Sequence, residues 1–396
     1  MKATRLNPEE IERIAAIQNS KGMLPVGVDV ASRVFQACWL DPATGRLANR
    51  QLTRDKFLDF VRDQSQGPRL FGIEACGACA FTARLMESCG HQCRIMPAFR
   101  IKAFLGLDKT DRIDAAGILK ALISPSIPSI APRSVDGQAL MALINARLLL
   151  VKLQVQAVNA AHAAIYEMGG LAGYSSVQSP RRVLDALGEA GASLPAGSPA
   201  ASHFGCLSSS LSSSIEEEAG LIKAVDEHLE QFGEGDEACR LMATIPGMGM
   251  RTAVLLRAAM DEPSRFSSAR SFAAFIGVAP RVSGTGGRTS VLGVRRSGVP
   301  AAKRALCMCA MAYLSKAIRN GTQSSWLKQR LDAGACRKKL VCALMNRLCR
   351  IAFAVARTGK PFDKDRSNLI KPLRRRAAPP ASHFNPAQRP DARARI

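Results

Sequence analysis

Aromatic residues are scarce in this chain, at 5% with two tryptophans and three tyrosines. That scarcity argues against a protein that binds single strands by stacking successive bases on aromatic side chains. Acids are also short: 55 Lys and Arg stand against 32 Asp and Glu, a net charge of +23. A balance this basic points to a polyanionic partner, with nucleic acid ahead of an anionic membrane surface. Long apolar runs are missing too. No stretch of eighteen consecutive apolar residues exists, so no segment is expected to span a bilayer and no membrane partner is expected. The first ten residues are polar and contain acids, unlike a secretory leader. His162, His203 and His228 lie too far apart in sequence to form a recognisable motif. Twelve cysteines are plentiful, but in a long chain without a leader they read as free thiols in a reducing cytoplasm.

With 396 residues and 47% hydrophobic content, two or three domains with packed cores are expected. Residues 23–130 alternate strand and helix patterns. Strands are expected at Val26–Val30, Arg33–Leu40, Arg46–Thr53, Leu70–Glu74 and Gln92–Met96. Helices are expected at Arg54–Ser65, Ala78–Cys89 and Asp111–Ile123, with a short amphipathic helix in the extension 1–22. Three meandering strands followed by β-α-β units fit an α/β sheet of ribonuclease-H-like type. Residues 131–236 read as a helical, coiled-coil linker. Asp136–Met168 has sustained helical periodicity and Glu216–Phe232 is a plausible antiparallel partner. Between them, Gly169–Ser214 is rich in Gly, Ser, Pro and Ala and reads as irregular. Residues 237–358 form a mainly helical C-terminal domain, with helices at Ala301–Ile318 and Lys338–Arg357. Residues 359–396 form a basic tail expected to be disordered.

Four acids stand out against the basic background. Asp29 ends the run Val26-Gly-Val-Asp29, and Glu74 ends Phe71-Gly-Ile-Glu74. Asp111 and Asp114 are three apart on one helix face. An isolated buried carboxylate costs several kcal/mol or becomes protonated. A shared hard cation such as Mg²⁺ removes that cost, and two such ions can stabilise both oxygens of a phosphodiester exchange. The bland alternative for Asp111 is an ordinary acid at a helix N-terminus.

Ile245-Pro-Gly-Met-Gly-Met-Arg-Thr-Ala253 reads helix, tight turn, helix. Gly247 and Gly249 permit the turn, and free N–H groups of the next helix are suited to phosphate. A plain core αα-hairpin is the alternative. Val282-Ser-Gly-Thr-Gly-Gly-Arg-Thr-Ser290 reads as a flexible, basic, hydroxyl-rich loop. Ser283, Thr285 or Ser290 is a candidate nucleophile, but no local His or carboxylate is there to activate it. Without covalent chemistry the loop would only grip phosphate. Arg281, Arg288, Arg295 and Arg296 would hold phosphates nearby. Cys76, Cys79, Cys89 and Cys93 offer a superficial zinc pattern, outweighed by free thiols.

Taken as a set, Val26-Gly-Val-Asp-Val-Ala31, Gly72-Ile-Glu-Ala-Cys-Gly77, Lys109-Thr-Asp-Arg-Ile-Asp-Ala115, Ile245-Pro-Gly-Met-Gly249, Phe275-Ile-Gly-Val-Ala-Pro-Arg281 and Gly286-Gly-Arg288 resemble insertion-sequence transposases with an Asp-Glu-Asp-Asp domain. These are the one-ten and eleven-eleven groups, which include Piv-like DNA invertases. The resemblance runs from about Val26 to about Leu314. It implies a RuvC-like catalytic domain, a coiled-coil linker and a C-terminal domain with a serine nucleophile. It also implies Mg²⁺ on Asp29, Glu74, Asp111 and Asp114, and a multimer in which the two domains meet across subunits. The reaction implied is cutting and rejoining of DNA through a covalent serine–DNA link, in some members guided by a structured RNA encoded by the element. Thr285 stands where the family usually places its serine, whereas Ser283 precedes a glycine; both hydroxyls remain candidates, with Ser283 the less hindered. The rival functions are a water-using metal nuclease or junction resolvase, and a non-catalytic nucleic-acid-binding remnant. In each case the protein would work in the cytoplasm, at the nucleoid.

Overall fold

The computed structural model describes residues 6–105, 110–170, 180–285, 288–294, 297–321 and 325–363. Helix α1 (Pro8–Lys21) opens with a capping box between Asn7 and Glu10 and ends at Gly22 in the left-handed region. Strands β1 (Leu24–Val30), β2 (Val34–Leu40) and β3 (Leu47–Thr53) form the expected antiparallel meander. Helix α2 (Arg54–Arg62) then crosses to β4 (Arg69–Glu74), which lies parallel to β1. Helix α3 (Cys79–Ser88) leads to β5 (Gln92–Met96), parallel to β4. The sheet order is β3-β2-β1-β4-β5. A short helix α4 (Ala98–Ile101) precedes α5 (Asp111–Ile123).

Two cores sandwich this sheet. Val26, Val28, Phe35, Trp39, Phe71 and Ile73 pack with α2 and α3 on one face. The other face is covered by α5, with Cys38, Leu70 and Met96 among its contacts. Helix α5 lies across the strands. Its Arg112 carbonyl accepts from Asn49 of β3, its Ala115 and Leu119 sit over Gly27 of β1, and its Leu122 sits over Gly72 of β4. Arg94 of β5 donates to the Leu122 carbonyl at 2.9 Å. Asn49, Cys38, Gly27, Gly72 and Arg94 occupy one register row, so the helix spans the sheet's full width at one level.

The linker helix α6 (Val135–Glu167) is followed by α7 (Pro180–Ala192) and α8 (Pro199–Gly235). The irregular segment read at Gly169–Ser214 is thus corrected: much of it is helical, while residues 171–179 lie outside the described part. Val183, Leu187 and Phe204 pack against Val158, Ala161 and Ile165 of α6, and this tertiary burial overrides the weak helix propensity of a Ser- and Gly-rich stretch. Helix α6 is the one described helix long and apolar enough to cross a membrane by length and composition. In the structure α6 and α8 pack together, and Arg147 holds Asp226 through both guanidinium and carboxylate forks.

The C-terminal domain comprises α9 (Glu237–Ala243), α10 (Met250–Met260), α11 (Ala269–Ile276), the hairpin β6 (Pro280–Thr285) and β7 (Arg288–Val294), then α12 (Pro300–Arg319), α13 (Ser325–Asp332) and α14 (Arg337–Thr358). One core joins α9 to α14, with Phe272, Leu306, Leu344 and Phe353 fully buried. Asp261 ties this domain to the root of α6. It has φ of 59° and is buried, and its carboxylate accepts from the N–H and hydroxyl of Ser134, both at 2.7 Å. Gly137 leaves room for it, since a Cβ there would fall 2.3 Å from Asp261 Oδ1. The basic tail lies outside the described residues beyond 363.

Candidate nucleic-acid processing site

The parallel pairing of β1 and β4 puts Asp29 and Glu74 side by side. The last paired residues are Val28 and Ile73, and the two acids are each one step beyond. Gly27 and Gly72, two residues earlier, face α5. Side chains alternate along a strand, so Asp29 and Glu74 belong to that same face. Both are half-buried rather than buried. Asp29 and Glu74 thus keep contact with water and do not carry the burial cost expected from the sequence; what joins them is the shared strand edge.

Gly27 and Gly72 are what make the arrangement possible. A Cβ on Gly27 would lie 2.4 Å from the Leu119 nitrogen, and one on Gly72 would lie 2.9 Å from Leu122 Cβ. Only glycine lets α5 approach this closely. Asp111 and Asp114 occupy the first turn of α5, capped by Thr110. Gly117, one turn after them, abuts Phe104 and Leu105 of the segment leaving β5. Asp114 lies three residues before Gly117 and so shares that flank of the helix. Among the described residues, no three of His, Cys, Asp and Glu are gathered closely enough to hold a metal ion. The strand pair brings two acids together, and the helix pair stands on its own turn.

Two residues that sequence reasoning passed over help to set this geometry. Gln36 lies opposite Asp29 on β2 and is buried. Its side-chain amide donates to Asn49 Oδ1, and Asn49 Nδ2 donates in turn to the Arg112 backbone carbonyl at 2.9 Å. This chain fixes the first turn of α5 over the sheet. The available signal was the polar alternation in Phe35-Gln-Ala and Ala48-Asn-Arg, which places the amides on the α5-facing side together with Asp29.

The hydroxyl-rich segment is a hairpin, not the loop that its glycines indicated. Ser283 pairs with Ser290, Gly284 with Thr289, and Thr285 with Arg288. Ser283 is exposed, and so is Arg281. The turn residues 286–287 and both Arg295 and Arg296 lie outside the described part. The turn between α9 and α10 has the expected shape, with Gly247 at φ 83° and Gly249 as N-cap. Gly247 packs on α12, where a Cβ would meet the Cys309 carbonyl at 2.9 Å. The Gly249 backbone hydrogen-bonds the Cys309 thiol, which burial nevertheless pushes up. One face of this turn is therefore spent on α12, in keeping with the core-hairpin alternative, while Gly249 itself is exposed.

The cysteines 76, 79, 89 and 93 hold no common site and are free. The Cys79 thiol, by hydrogen bonding, brings Cys76 down to about 6.

A family model described as a transposase of the DEDD, IS110 type matches residues 26–168. A second, described as the transposase IS116/IS110/IS902 family, matches residues 239–324. Together they take in more than half of the chain. This protein belongs to that transposase family. The transposase for insertion sequence element IS1328 of Yersinia enterocolitica is 28% identical over 86% of this chain and 98% of its own length. The transposase for element IS1111A of Coxiella burnetii is 27% identical over 85% and 91%. The pilin gene-inverting protein of Moraxella bovis is 34% identical over 31% of this chain and 38% of that protein. As a member of the family, this transposase is an enzyme of DNA transposition or recombination. The first match contains the strand-end and helix-turn acids, and the second contains the α9–α10 turn and the hairpin.

Proposed function

We propose that the transposase cuts and rejoins DNA with a divalent-cation site on a ribonuclease-H-like, RuvC-like sheet and a hydroxyl nucleophile on the C-terminal hairpin. The observation that carries the reading is the parallel register that sets Asp29 beside Glu74 on the face crossed by α5. Carboxylate oxygens from two strands and one helix turn are the donors that hard cations take, so Asp29, Glu74, Asp111 and Asp114 fit Mg²⁺ by chemistry. When bound, such ions would stabilise charge on the attacking and leaving oxygens.

The chain's own residues supply the rest. Ser283 or Thr285 attacks phosphorus, and its hydroxyl proton passes to a base or to solvent. The DNA oxygen that leaves takes up a proton, and a protein–DNA phosphodiester conserves the bond energy. A second DNA hydroxyl then displaces the side chain and restores it. Arg281, with Arg288, Arg295 and Arg296, would hold the flanking phosphates, and exposed Gly249 would offer an N-terminal approach to another. The hairpin Pro280–Val294 contains neither acid nor histidine. Its activator must come from the acidic edge, which favours a homo-oligomer that brings one copy's hairpin to another copy's sheet. A net charge of +23 leaves capacity for a structured guide RNA beside DNA. DNA as substrate puts the work in the cytoplasm, at the nucleoid.

Trapping tests this directly. Protein, Mg²⁺, end-labelled junction DNA and RNA from the element's flank are mixed and denatured, with Ser283→Ala and Thr285→Ala alongside. A covalent adduct lost in one variant names the nucleophile. Cleaved DNA without an adduct would replace the covalent mechanism by water attack. Binding without any cleavage would favour a non-catalytic remnant.

A further inference from the structure

Arg347 is 5% exposed, on the inner face of α14, and neither of its terminal nitrogens has a hydrogen-bond partner among the described residues. Its guanidinium lies 3.7 Å from the ring centroid of Trp326 on α13. Such stacking orients the charge but does not satisfy its five N–H donors. A buried charge of this kind is costly unless something pairs with it. The neighbours raise the cost. Burial, together with the positive charges of Arg350 and Arg330, holds Arg347 below the ordinary guanidinium value, against a smaller opposing effect of Tyr313. The Nε of Arg350 is also buried without a partner.

These groups line a cavity of about 660 Å³. Its walls are Val278, Pro280 and the β7 residues Leu292–Val294, so it opens at the base of the hairpin that carries Ser283. Arg330, Lys338 and Lys339 are exposed at its rim, and Asn346 adds an amide. No carboxylate is among its described lining residues. A cavity with a buried unpaired guanidinium, further cations at the rim and an aromatic floor is built for an oxyanion, because planar fork donors match phosphate geometry. The α13 and α14 residues involved lie beyond residue 324, outside the segments that the transposase models match.

We propose that this cavity is a phosphate-binding site for a nucleic-acid strand, with Arg347 as its buried anchor and Arg330, Lys338 and Lys339 as its rim. The assignment to nucleic acid rests on the DNA-processing function proposed above; the oxyanion chemistry does not. A strand held here would run along β7 toward the hairpin tip, so the site would set how the strand enters the reaction.

The test uses the full chain and two readouts. In a Trp39→Phe background, Trp326 is the remaining tryptophan and reports on the cavity during titration with inorganic pyrophosphate. Binding of a labelled oligodeoxynucleotide, and of the oligoribonucleotide of the same sequence, is measured across salt concentrations. We expect a saturable Trp326 signal that Arg347→Met abolishes. We also expect the variant to bind oligonucleotide about tenfold more weakly, with a salt slope shallower by about 0.7 per phosphate lost. The exposed double variant Lys338→Gln/Lys339→Gln should show a smaller loss of the same kind. Arg347→Met should melt no lower than wild type, because it removes an unpaired buried charge. Equal losses for both strands support recognition of phosphate alone; a loss confined to one assigns the site to that strand. The proposal is overturned if pyrophosphate leaves Trp326 unchanged while both variants keep wild-type affinity and slope. If pyrophosphate binds but wild type holds neither oligonucleotide, the DNA-processing reading fails and the nucleic-acid assignment falls with it, leaving a small-oxyanion site.

Discussion

The acidic edge of the sheet and the basic cavity behind the hairpin solve opposite problems. At the acidic edge the backbone is pressed tight: α5 rests on two glycines, and an amide relay from Gln36 through Asn49 holds its first turn. The carboxylates themselves stay half open to water, apart from the more exposed Asp111. In the cavity the backbone is roomy, and a Cβ on Gly293 of β7 would meet nothing within 4 Å. There it is the charge that is buried and unmatched. One region fixes geometry and leaves its charges adjustable; the other fixes a charge and leaves space around it. Such a division suits a protein that positions a reaction at one place and grips its substrate at another.

The largest effects are expected at the acids. Asp29→Asn or Glu74→Gln should lower the yield of recombined DNA by about a thousandfold, equivalent to about 4 kcal/mol of transition-state stabilisation. The melting temperature should stay near wild type, because both side chains are half-exposed; a variant that still recombined DNA at the normal rate would end the acidic-site reading. Next in size is Gly27→Ala. Its Cβ would press on the backbone of α5, and we expect a loss of about 2–3 kcal/mol in urea unfolding. Gly293→Ala should leave stability within about 0.5 kcal/mol. Equal effects from the two glycines would erase the contrast between a tight and a roomy backbone. Asp261→Ala should cost about 2 kcal/mol, since it strips the buried Ser134 N–H and hydroxyl of their acceptor.

The mildest test concerns thiols. Backbone N–H groups of Lys339 and Lys338 hold the exposed Cys336 below the usual thiol value, whereas burial pushes Cys38 and Cys93 up to about 12. A lowered pKa means that thiolate is present at lower pH. Iodoacetamide should therefore label Cys336 well before Cys38 or Cys93 at pH 7.5, read by peptide mass mapping. Bound phosphate at the nearby rim should slow the labelling of Cys336 and leave the buried pair unchanged.

Much of the N-terminal domain was legible in the sequence because alternation fixes strand faces. β5 and α5 begin and end where the pattern indicated, and Asp29 and Glu74 proved to be neighbours. The role of Gly27 and Gly72 was not legible, since nothing local tells that a helix will lie across the strands there. The helices over 180–192 and 199–214 were hidden for the reverse reason. Their Ser and Gly content weakens local helix propensity, and burial of Phe204, Leu187 and Val183 against α6 supports the helices. The glycines around Ser283 masked a hairpin whose register depends on pairing with β7. Arg347 could not be singled out at all: in sequence it is one of many basic residues, and only packing reveals that it alone among the described ones has both terminal nitrogens buried and unmatched.

The clasp between Asp261 and Ser134 has a mechanical consequence. It welds the root of α6 to the C-terminal domain, at the point where the chain has just left the sheet. A helix of 33 residues is about 50 Å long. Welded at one end, it is a boom: a tilt of a few degrees in the C-terminal domain is carried outward as several ångströms at the far end, where α7 and α8 close around it. Whatever rests on that distal cluster would feel any tilt of the C-terminal domain amplified.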